Sequence, residues 1–184
     1  MSIYWLAKIV CFFATKVLFR PKIVGLENIP KSGGFIFASN HTSMFDPVVI
    51  LTTTKRKIHF LAKAELFKFP KSIIFKHLGL MPVYRNSLDK EALKDSINYL
   101  NNGEIVGIFP EGTRERGRGL LEFKFGAVKM SKETNTPIIP VGITGSYNIF
   151  KNKLHFKFGK PIYVKGDLEK ENEKLRNTIK DLIK

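Results

Sequence analysis

The stretch Ser39-Asn40-His41-Thr42-Ser43-Met44-Phe45-Asp46-Pro47 joins two short apolar segments, residues 35–38 and 48–51. The first segment is typical of a buried strand, and an Asp-Pro pair is typical of the start of a helix. Two side chains five residues apart diverge on a continuous helix and lie on opposite faces of a strand. The sequence therefore predicts a turn from strand to helix, because only a turn brings His41 and Asp46 together.

The predicted pair of His41 and Asp46 suits general-base chemistry. A carboxylate beside one ring nitrogen holds the imidazole in one tautomer, so that the other nitrogen can take a proton from a hydroxyl group. Cys11 lies in an apolar segment and Ser43 lacks the flanking glycines of a nucleophile elbow, so we expect the hydroxyl to belong to a substrate. A structural alternative stays open, in which Asp46 only caps the helix and His41 is a hydrogen-bonded turn residue.

Two arginines and a Glu-Gly pair are candidate ligand-binding residues. Arg85 and Arg114 each follow a predicted strand, where α/β proteins tend to build ligand sites. A guanidinium group matches the oxygens of a phosphate monoester, although each arginine is also compatible with an ordinary basic surface. The Glu111 carboxylate suits a glycerol hydroxyl or an arginine, and Gly112 lets the backbone approach a ligand closely.

Four blocks of sequence occur in a recognisable order. The His41 turn is followed by residues 79–85 (GLMPVYR), 109–114 (FPEGTR) and 139–145 (IPVGITG). In this order and at these separations, the blocks resemble the four motifs of the glycerolipid acyltransferase family. The resemblance extends from about residue 23 to residue 161. Within the family, the sequence is most similar to the lysophosphatidate acyltransferases.

The resemblance implies a reaction and a role for each candidate residue. An acyl chain would pass from an acyl thioester, either acyl-CoA or acyl carrier protein, to the free sn-2 hydroxyl of lysophosphatidate, giving phosphatidate. His41 would deprotonate that hydroxyl and Asp46 would stabilise the imidazolium, with no acyl-enzyme intermediate. The residues implied in binding the glycerol phosphate are Arg85, Glu111, Gly112 and Arg114.

Two alternative functions remain open at this point. The acceptor could be glycerol 3-phosphate or another lysophospholipid, or the chain could be a non-catalytic basic protein that binds a membrane or nucleic acid. We expect no metal and no cofactor beyond the thioester co-substrate, because the chain has one cysteine and no Cys/His spacing typical of zinc sites. The single cysteine also fits a reducing cytoplasmic setting.

The basic charge of the chain calls for a polyanionic partner. Lys and Arg together number 31 against 16 acidic residues, which gives a net charge of +15. Charge alone does not choose between nucleic acid, an anionic membrane and a phosphorylated substrate. The sequence has no helix-turn-helix, RNP-type strand or zinc-finger spacing, and its 16 phenylalanines favour lipid. The expected partner is therefore an anionic phospholipid membrane, with no nucleic acid.

Residues 1–20 are predicted to form an amphipathic N-terminal helix. At about 100° per residue, one uncharged arc of roughly 140° contains mostly large apolar side chains. Its members are Ile3, Leu6, Ala7, Val10, Phe13, Ala14, Val17 and Leu18. Lys8, Lys16 and Arg20 interrupt the run of about 20 apolar residues that a spanning helix needs. We expect a peripheral or monotopic helix at the cytoplasmic face of a membrane. The alternative is that the apolar arc packs on the protein's own core.

Residues 21–184 are predicted to form a single α/β domain, a mixed β-sheet flanked by helices, because strand and helix patterns alternate along the chain. The predicted strands are residues 22–26, 35–38, 58–61, 82–84, 104–109, 138–143 and 154–158. The predicted helices are residues 47–54, 64–78 (one or two short helices), 86–102, 125–135 and 167–184.

Overall fold

The structure of the chain is a computed structural model that describes residues 3–67, 79–83, 90–115, 117–148 and 154–184. The α-helices in these ranges are α1 (Ile3–Ala14), α2 (Asp46–Leu51), α3 (Lys90–Asn101), α4 (Gly126–Thr134) and α5 (Leu168–Leu182). The strands are β1 (Lys22–Val24), β2 (Phe35–Ser39), β3 (Ile58–Lys63), β4 (Leu80–Val83), β5 (Ile105–Ile108), β6 (Ile138–Thr144) and β7 (His155–Phe158). A π-helical segment, Thr15–Phe19, follows α1 directly.

The strands form one mixed sheet in the order β1-β7-β6-β2-β5-β3-β4. Strands β6, β2, β5, β3 and β4 are parallel to one another, whereas β7 is antiparallel to β6 and pairs in parallel with β1. The carboxyl ends of the five parallel strands therefore lie along one edge of the sheet. The predicted α/β fold with a mixed sheet flanked by helices is confirmed.

Strand β2 lies at the centre of the sheet and is buried on both faces. Phe35 and Phe37 pack into a cluster that includes residues of α2, while Ile36 and Ala38 pack into a second cluster with residues of α4 and α5. Alternate side chains of a strand point to opposite faces, which is why one short strand contributes to both halves of the core. The residues that follow Ser39 thus emerge at the middle of the carboxyl edge.

The boundaries of several elements differ from the predictions. Strand β1 ends at Val24 because the next residue, Gly25, has a left-handed φ of 82°. A side chain at this position would clash with the backbone, since its Cβ would lie 2.1 Å from the carbonyl oxygen of Phe158. Of the helical region predicted for residues 64–78, the described part forms a short 3₁₀ helix, Ala64–Phe67. Residues 68–78 and the predicted helix start near residue 86 lie outside the described residues.

Helix α1 turns its polar side toward the protein. The hydroxyl oxygen of Tyr4 accepts a hydrogen bond from the Ile58 N–H at 2.9 Å, and the ammonium group of Lys8 donates to the Arg56 carbonyl oxygen at 2.7 Å. Tyr4, Lys8 and Thr15 are buried. The large exposed apolar side chains of residues 3–19 are Trp5, Leu6, Ile9, Val10, Phe12, Phe13, Val17 and Leu18. The alternative in which the apolar arc packs on the core is therefore wrong.

Among the described residues, no helix combines the length and the apolar character that crossing a bilayer requires.

The stability of the fold is predicted to depend on the ionisation of Lys8. Burial lowers the pKa of the Lys8 ammonium group from 10.5 to about 8. Between pH 8 and 10.5 the unfolded chain binds more protons than the folded chain, because Lys8 is charged in the unfolded chain and neutral in the folded one. The contribution of Lys8 to the free energy of unfolding therefore increases as pH rises from 8 to 10 and is lost as pH falls through 8. The free energy of unfolding of the wild type, minus that of Lys8→Met, should increase over this pH range in urea titrations. A difference that does not change with pH contradicts the assignment.

Candidate active site

The turn between β2 and α2 brings the two candidate catalytic residues into contact. The Nδ1 atom of His41 lies 2.9 Å from Oδ2 of Asp46, which is the first residue of α2 and is fully buried. Since a strand ends at Ser39 and a helix begins at Asp46, a turn of six residues separates the two elements. The predicted contact between these two side chains is confirmed.

The Asp46 carboxylate is the hydrogen-bond acceptor around which the turn closes. Its Oδ2 atom accepts from the backbone N–H groups of Thr42 and Ser43, both at 2.8 Å, as well as facing His41. Its Oδ1 atom accepts from the hydroxyl groups of Thr42, at 3.2 Å, and Tyr147, at 2.6 Å. The two N–H groups belong to the turn rather than to the helix, so the interpretation of Asp46 as only a helix cap is wrong.

These contacts define the tautomer of the neutral imidazole. A carboxylate that accepts four other hydrogen bonds also acts as the acceptor toward His41, which places a proton on Nδ1 and leaves the lone pair on Nε2. The ring stacks on Phe109, with ring centres 4.0 Å apart and an angle of 20° between the planes. The His41 side chain keeps 18% of its surface exposed. The arrangement therefore provides an oriented, accessible base.

Glu111 links the His41 turn to the loop that follows β5. One carboxylate oxygen accepts the backbone N–H of His41 at 2.8 Å, and the other accepts that of Leu121 at 3.0 Å. Burial raises the pKa of this carboxyl group, although both backbone hydrogen bonds act in the opposite direction. The N–H of Glu115 also donates to the His41 carbonyl oxygen at 2.9 Å. The observed contacts of Glu111 are thus to protein backbone, and its contact with a glycerol phosphate stays a prediction.

The loop also positions Gly112 and Arg114 beside the turn. Gly112 has a φ of 65°, and the side chain of Lys124 passes over its Cα, 3.0 Å from where a Cβ would lie. Arg114 directly precedes Glu115, whose backbone is hydrogen-bonded to His41. No carboxylate among the described residues forms an ion pair with the Arg114 guanidinium group. Contact of its guanidinium group with an anionic ligand stays a prediction.

Arg85 lies outside the described residues. Strand β4, which ends at Val83, has its carboxyl end at the same edge of the sheet as β2. Three strand spacings separate β4 from β2, a distance of about 14 Å. The proposed convergence of Arg85 and Arg114 therefore stays a prediction.

A cleft of about 290 Å³ opens next to the turn. Its lining combines polar and apolar side chains: Asn40, Thr42, Glu111, Leu120, Ile143 and Ile183. Asn40 also joins the end of β2 to β6, because its amide donates to the Ile143 carbonyl oxygen at 2.9 Å and accepts the Ile143 N–H at 2.7 Å. One wall of the cleft is therefore held rigidly by the sheet.

Two residues in contact with the candidate catalytic pair were not predicted from the sequence. Tyr147 donates to Asp46 from a position 101 residues along the chain, in a polar segment with no distinctive local pattern. Phe109 supports the His41 ring and could have been identified as the first residue of the FPEGTR block.

A second histidine–carboxylate pair lies away from this site. The Nε2 atom of His59 is 2.8 Å from a carboxylate oxygen of Glu104, and the ring stacks on Tyr99. His59 is buried near the start of β3, at the edge of the sheet opposite to the His41 turn. Burial lowers the pKa of His59, with the Glu104 hydrogen bond acting in the opposite direction. Within the described ranges, no group of three or more His, Cys, Asp or Glu side chains is placed to hold a metal ion.

This fold and this site are those of an acyltransferase. A family model described as Acyltransferase matches residues 20–144, and the chain belongs to that family. The resemblance found in the sequence motifs is thereby confirmed.

Named relatives are similar over most of the chain. The 1-acyl-sn-glycerol-3-phosphate acyltransferase of Borreliella burgdorferi is 33% identical over 174 residues, which cover 88% of this chain and 69% of that protein. The enzyme of the same name from Bacillus subtilis is 32% identical over 149 residues, covering 77% and 73%. The crystal structure of the 1-acyl-sn-glycerophosphate (LPA) acyltransferase PlsC from Thermotoga maritima superposes with a TM-score of 0.79 at 28% identity, covering 98% of this chain and 79% of that chain.

Removal of the Asp46 carboxylate is predicted to destabilise the whole fold. The Asp46→Ala variant leaves buried N–H and hydroxyl donors without their acceptor, which should lower the free energy of unfolding by about 3–5 kcal/mol. Asp181→Ala, which removes an exposed carboxylate from the last turn of α5, should change it by less than about 0.5 kcal/mol. Urea unfolding of both variants provides the comparison, and a loss below about 1 kcal/mol for Asp46→Ala contradicts the structural role.

Proposed function

We propose that this enzyme transfers an acyl chain from an acyl thioester, acyl-CoA or acyl carrier protein, to the free sn-2 hydroxyl of lysophosphatidate, forming phosphatidate. The observation that carries this proposal is the 2.9 Å contact between His41 and the buried Asp46, which leaves the second ring nitrogen as an accessible base. The names of the relatives support the choice of acceptor. The thioester is a co-substrate, and the reaction uses no further cofactor and no metal.

The proposed mechanism is direct transfer between two bound substrates. Nε2 of His41 takes the proton from the acceptor hydroxyl as its oxygen attacks the thioester carbonyl carbon. The tetrahedral intermediate collapses, the carbon–sulfur bond breaks, and the imidazolium returns the proton to the leaving thiolate. Asp46 stabilises the imidazolium between these steps. General-base catalysis of this kind contributes about 10²–10⁴-fold in rate.

The acceptor is recognised by its phosphate monoester. Arg114 lies in the loop that Glu111 ties to His41, so a phosphate bound there lies close to the base. Gly112, whose Cα lies under the Lys124 side chain, is proposed to contact the glycerol phosphate through its backbone. Arg85 is proposed as a second guanidinium group for the same phosphate. A bound phosphate holds the acceptor hydroxyl in a fixed orientation toward the thioester. Proximity and orientation are therefore the main catalytic effects proposed for these two amphiphilic substrates.

The enzyme binds the surface of an anionic membrane through the exposed face of its N-terminal segment. Eight large apolar side chains between Trp5 and Leu18 are exposed while the polar side of α1 faces the protein. Burying one such side chain stabilises by about 1.5–3 kcal/mol. The turn itself adds Met44 and Phe45, which are 66% and 42% exposed. This arrangement, together with the net charge of +15, supports a peripheral position at the cytoplasmic face of the membrane.

The His41→Ala variant is predicted to lose acyl transfer. Purified wild-type protein, given lysophosphatidate and an acyl thioester, should release free thiol, and His41→Ala should release it at least about 100-fold more slowly because no base remains. His155→Ala, which removes a half-buried imidazole from β7, should retain the wild-type rate.

The acceptor is tested in the same assay. Lysophosphatidate should be preferred over a lysophospholipid whose phosphate is a diester, because a monoester offers more charge and more free oxygens to arginine. Equal rates with both acceptors contradict phosphate recognition, and a His41→Ala variant with the wild-type rate contradicts the mechanism. Acyl label trapped covalently on the protein would refute direct transfer.

Membrane binding is predicted to depend on the exposed face of α1. The Phe13→Glu variant replaces a side chain that is 62% exposed with a charged one. It should cosediment at least about tenfold less with anionic phospholipid vesicles. Tyr163, 52% exposed, lies beside Ile162, which pairs with the first residue of β6. The control Tyr163→Glu should bind like the wild type. Equal losses for both variants would show that charge alone governs binding.

A further inference from the structure

Three aromatic side chains connect the N-terminal segment to the catalytic turn. Phe19 ends the π-helical segment, Phe45 directly precedes Asp46, and Tyr147 lies in the segment after β6. The ring centre of Phe19 is 5.3 Å from that of Phe45 and 5.0 Å from that of Tyr147, and the last two are 5.7 Å apart. All three pairs lie within the range of favourable aromatic contacts. We call these residues the aromatic triad.

The Tyr147 hydroxyl makes the shortest of the hydrogen bonds to the Asp46 carboxylate. Its hydroxyl group donates to Oδ1 of Asp46 at 2.6 Å, on the oxygen opposite to the one that faces His41. Burial raises the pKa of the Tyr147 hydroxyl far above its ordinary value, and the charge of Asp46 adds to this effect. The hydroxyl is therefore protonated at neutral pH and acts as the donor to Asp46. Among the described residues, the Thr42 hydroxyl, at 3.2 Å, is the other hydrogen-bond donor to Oδ1.

The π-helical segment ends with a side chain that faces the protein, that of Phe19. Val17 and Leu18 are exposed, whereas Phe19 packs against the core cluster that contains residues of α2. The segment ends at Arg20, whose φ of 43° is left-handed and whose N–H donates to the Thr15 carbonyl oxygen at 2.9 Å. The end of the proposed membrane-binding segment is thus anchored directly against Tyr147 and the catalytic turn.

We infer that Tyr147 is a positioning residue that orients the Asp46–His41 pair, and that Phe19 makes the N-terminal segment part of the catalytic unit by holding Tyr147 and Phe45 in place. This inference rests on the proposed function. Tyr147 acts through Asp46 and does not contact a substrate, so its loss affects the rate of the chemical step rather than acceptor binding. Without the Tyr147 hydroxyl, the carboxylate can rotate and the imidazole it holds loses its alignment.

The test separates positioning from membrane anchoring. The acceptor is a short-chain lysophosphatidate below its critical micelle concentration, so that no lipid surface is present, and the full chain is used throughout. Tyr147→Phe keeps the ring and removes only the hydroxyl, and its kcat should fall about tenfold or more while KM for the acceptor changes less than about twofold. Phe19→Ala should lower kcat in the same way.

Two matched controls remove equivalent groups elsewhere. Tyr163→Phe removes the hydroxyl of an exposed tyrosine, and Leu26→Ala removes an exposed apolar side chain near β1. Both should retain the wild-type kcat and KM. Wild-type kcat in Tyr147→Phe overturns the positioning role. A Phe19→Ala variant that loses activity only on vesicles overturns the coupling and leaves the segment as an anchor. A rise in KM with kcat unchanged places Tyr147 in substrate binding and also contradicts the inference.

A second readout does not require turnover. Exchange of the His41 Nδ1 proton with solvent, measured by NMR, should be faster in Tyr147→Phe and in Phe19→Ala than in the wild type and in both controls. Unchanged exchange in these two variants overturns the inference. If the wild type releases no thiol with any acceptor, the proposed function fails, and the proton-exchange measurement still decides whether Tyr147 and Phe19 order the pair.

Discussion

The structure of the site depends on one buried carboxylate. A charge taken out of water is costly unless it is fully hydrogen-bonded, and Asp46 meets this condition with contacts from His41, Thr42, Ser43 and Tyr147. These donors come from the turn itself and from a segment more than 100 residues away. The hydrogen bonds on Asp46 are therefore complete only when the segment that follows β6 is in place. The same hydrogen bonds satisfy the buried carboxylate and hold the proposed catalytic pair in contact.

The second organising feature is the β-sheet, which has a carboxyl edge where the His41 turn lies and a face that packs against α1 and α2. The five parallel strands direct their carboxyl ends to one edge, where the His41 turn and the loop after β5 meet through Glu111. On the α2 side of the sheet, α1 exposes its apolar side chains and buries Lys8 and Thr15. The aromatic contact between Phe19 and Phe45 places the end of this exposed surface next to the catalytic turn. Such an arrangement suits substrates whose chains lie in a bilayer and whose reacting groups lie at its surface.

Local sequence patterns predicted the parts of this site that are close along the chain. The five-residue spacing of His41 and Asp46 required a turn, and the alternation of strands and helices required an α/β sheet. Contacts between distant segments left no such pattern: Glu111 meets His41 across 70 residues, and Glu104 meets His59 across 45. Periodicity identified an apolar face on α1, but it does not predict whether that face or the polar face packs against the rest of the protein. That depends on tertiary contacts, here those of Tyr4 and Lys8 with the segment that leads into β3.

The tautomer of His41 is the property on which the proposed general base depends. In protein labelled with ¹⁵N-histidine, at a pH where the imidazole is neutral, we expect the His41 Nδ1 signal to be that of a protonated nitrogen hydrogen-bonded to a carboxylate. The Nε2 signal should then be that of an unprotonated nitrogen. The opposite assignment, with the proton on Nε2, would leave no lone pair on the nitrogen that is free of Asp46 and would rule out His41 as the base.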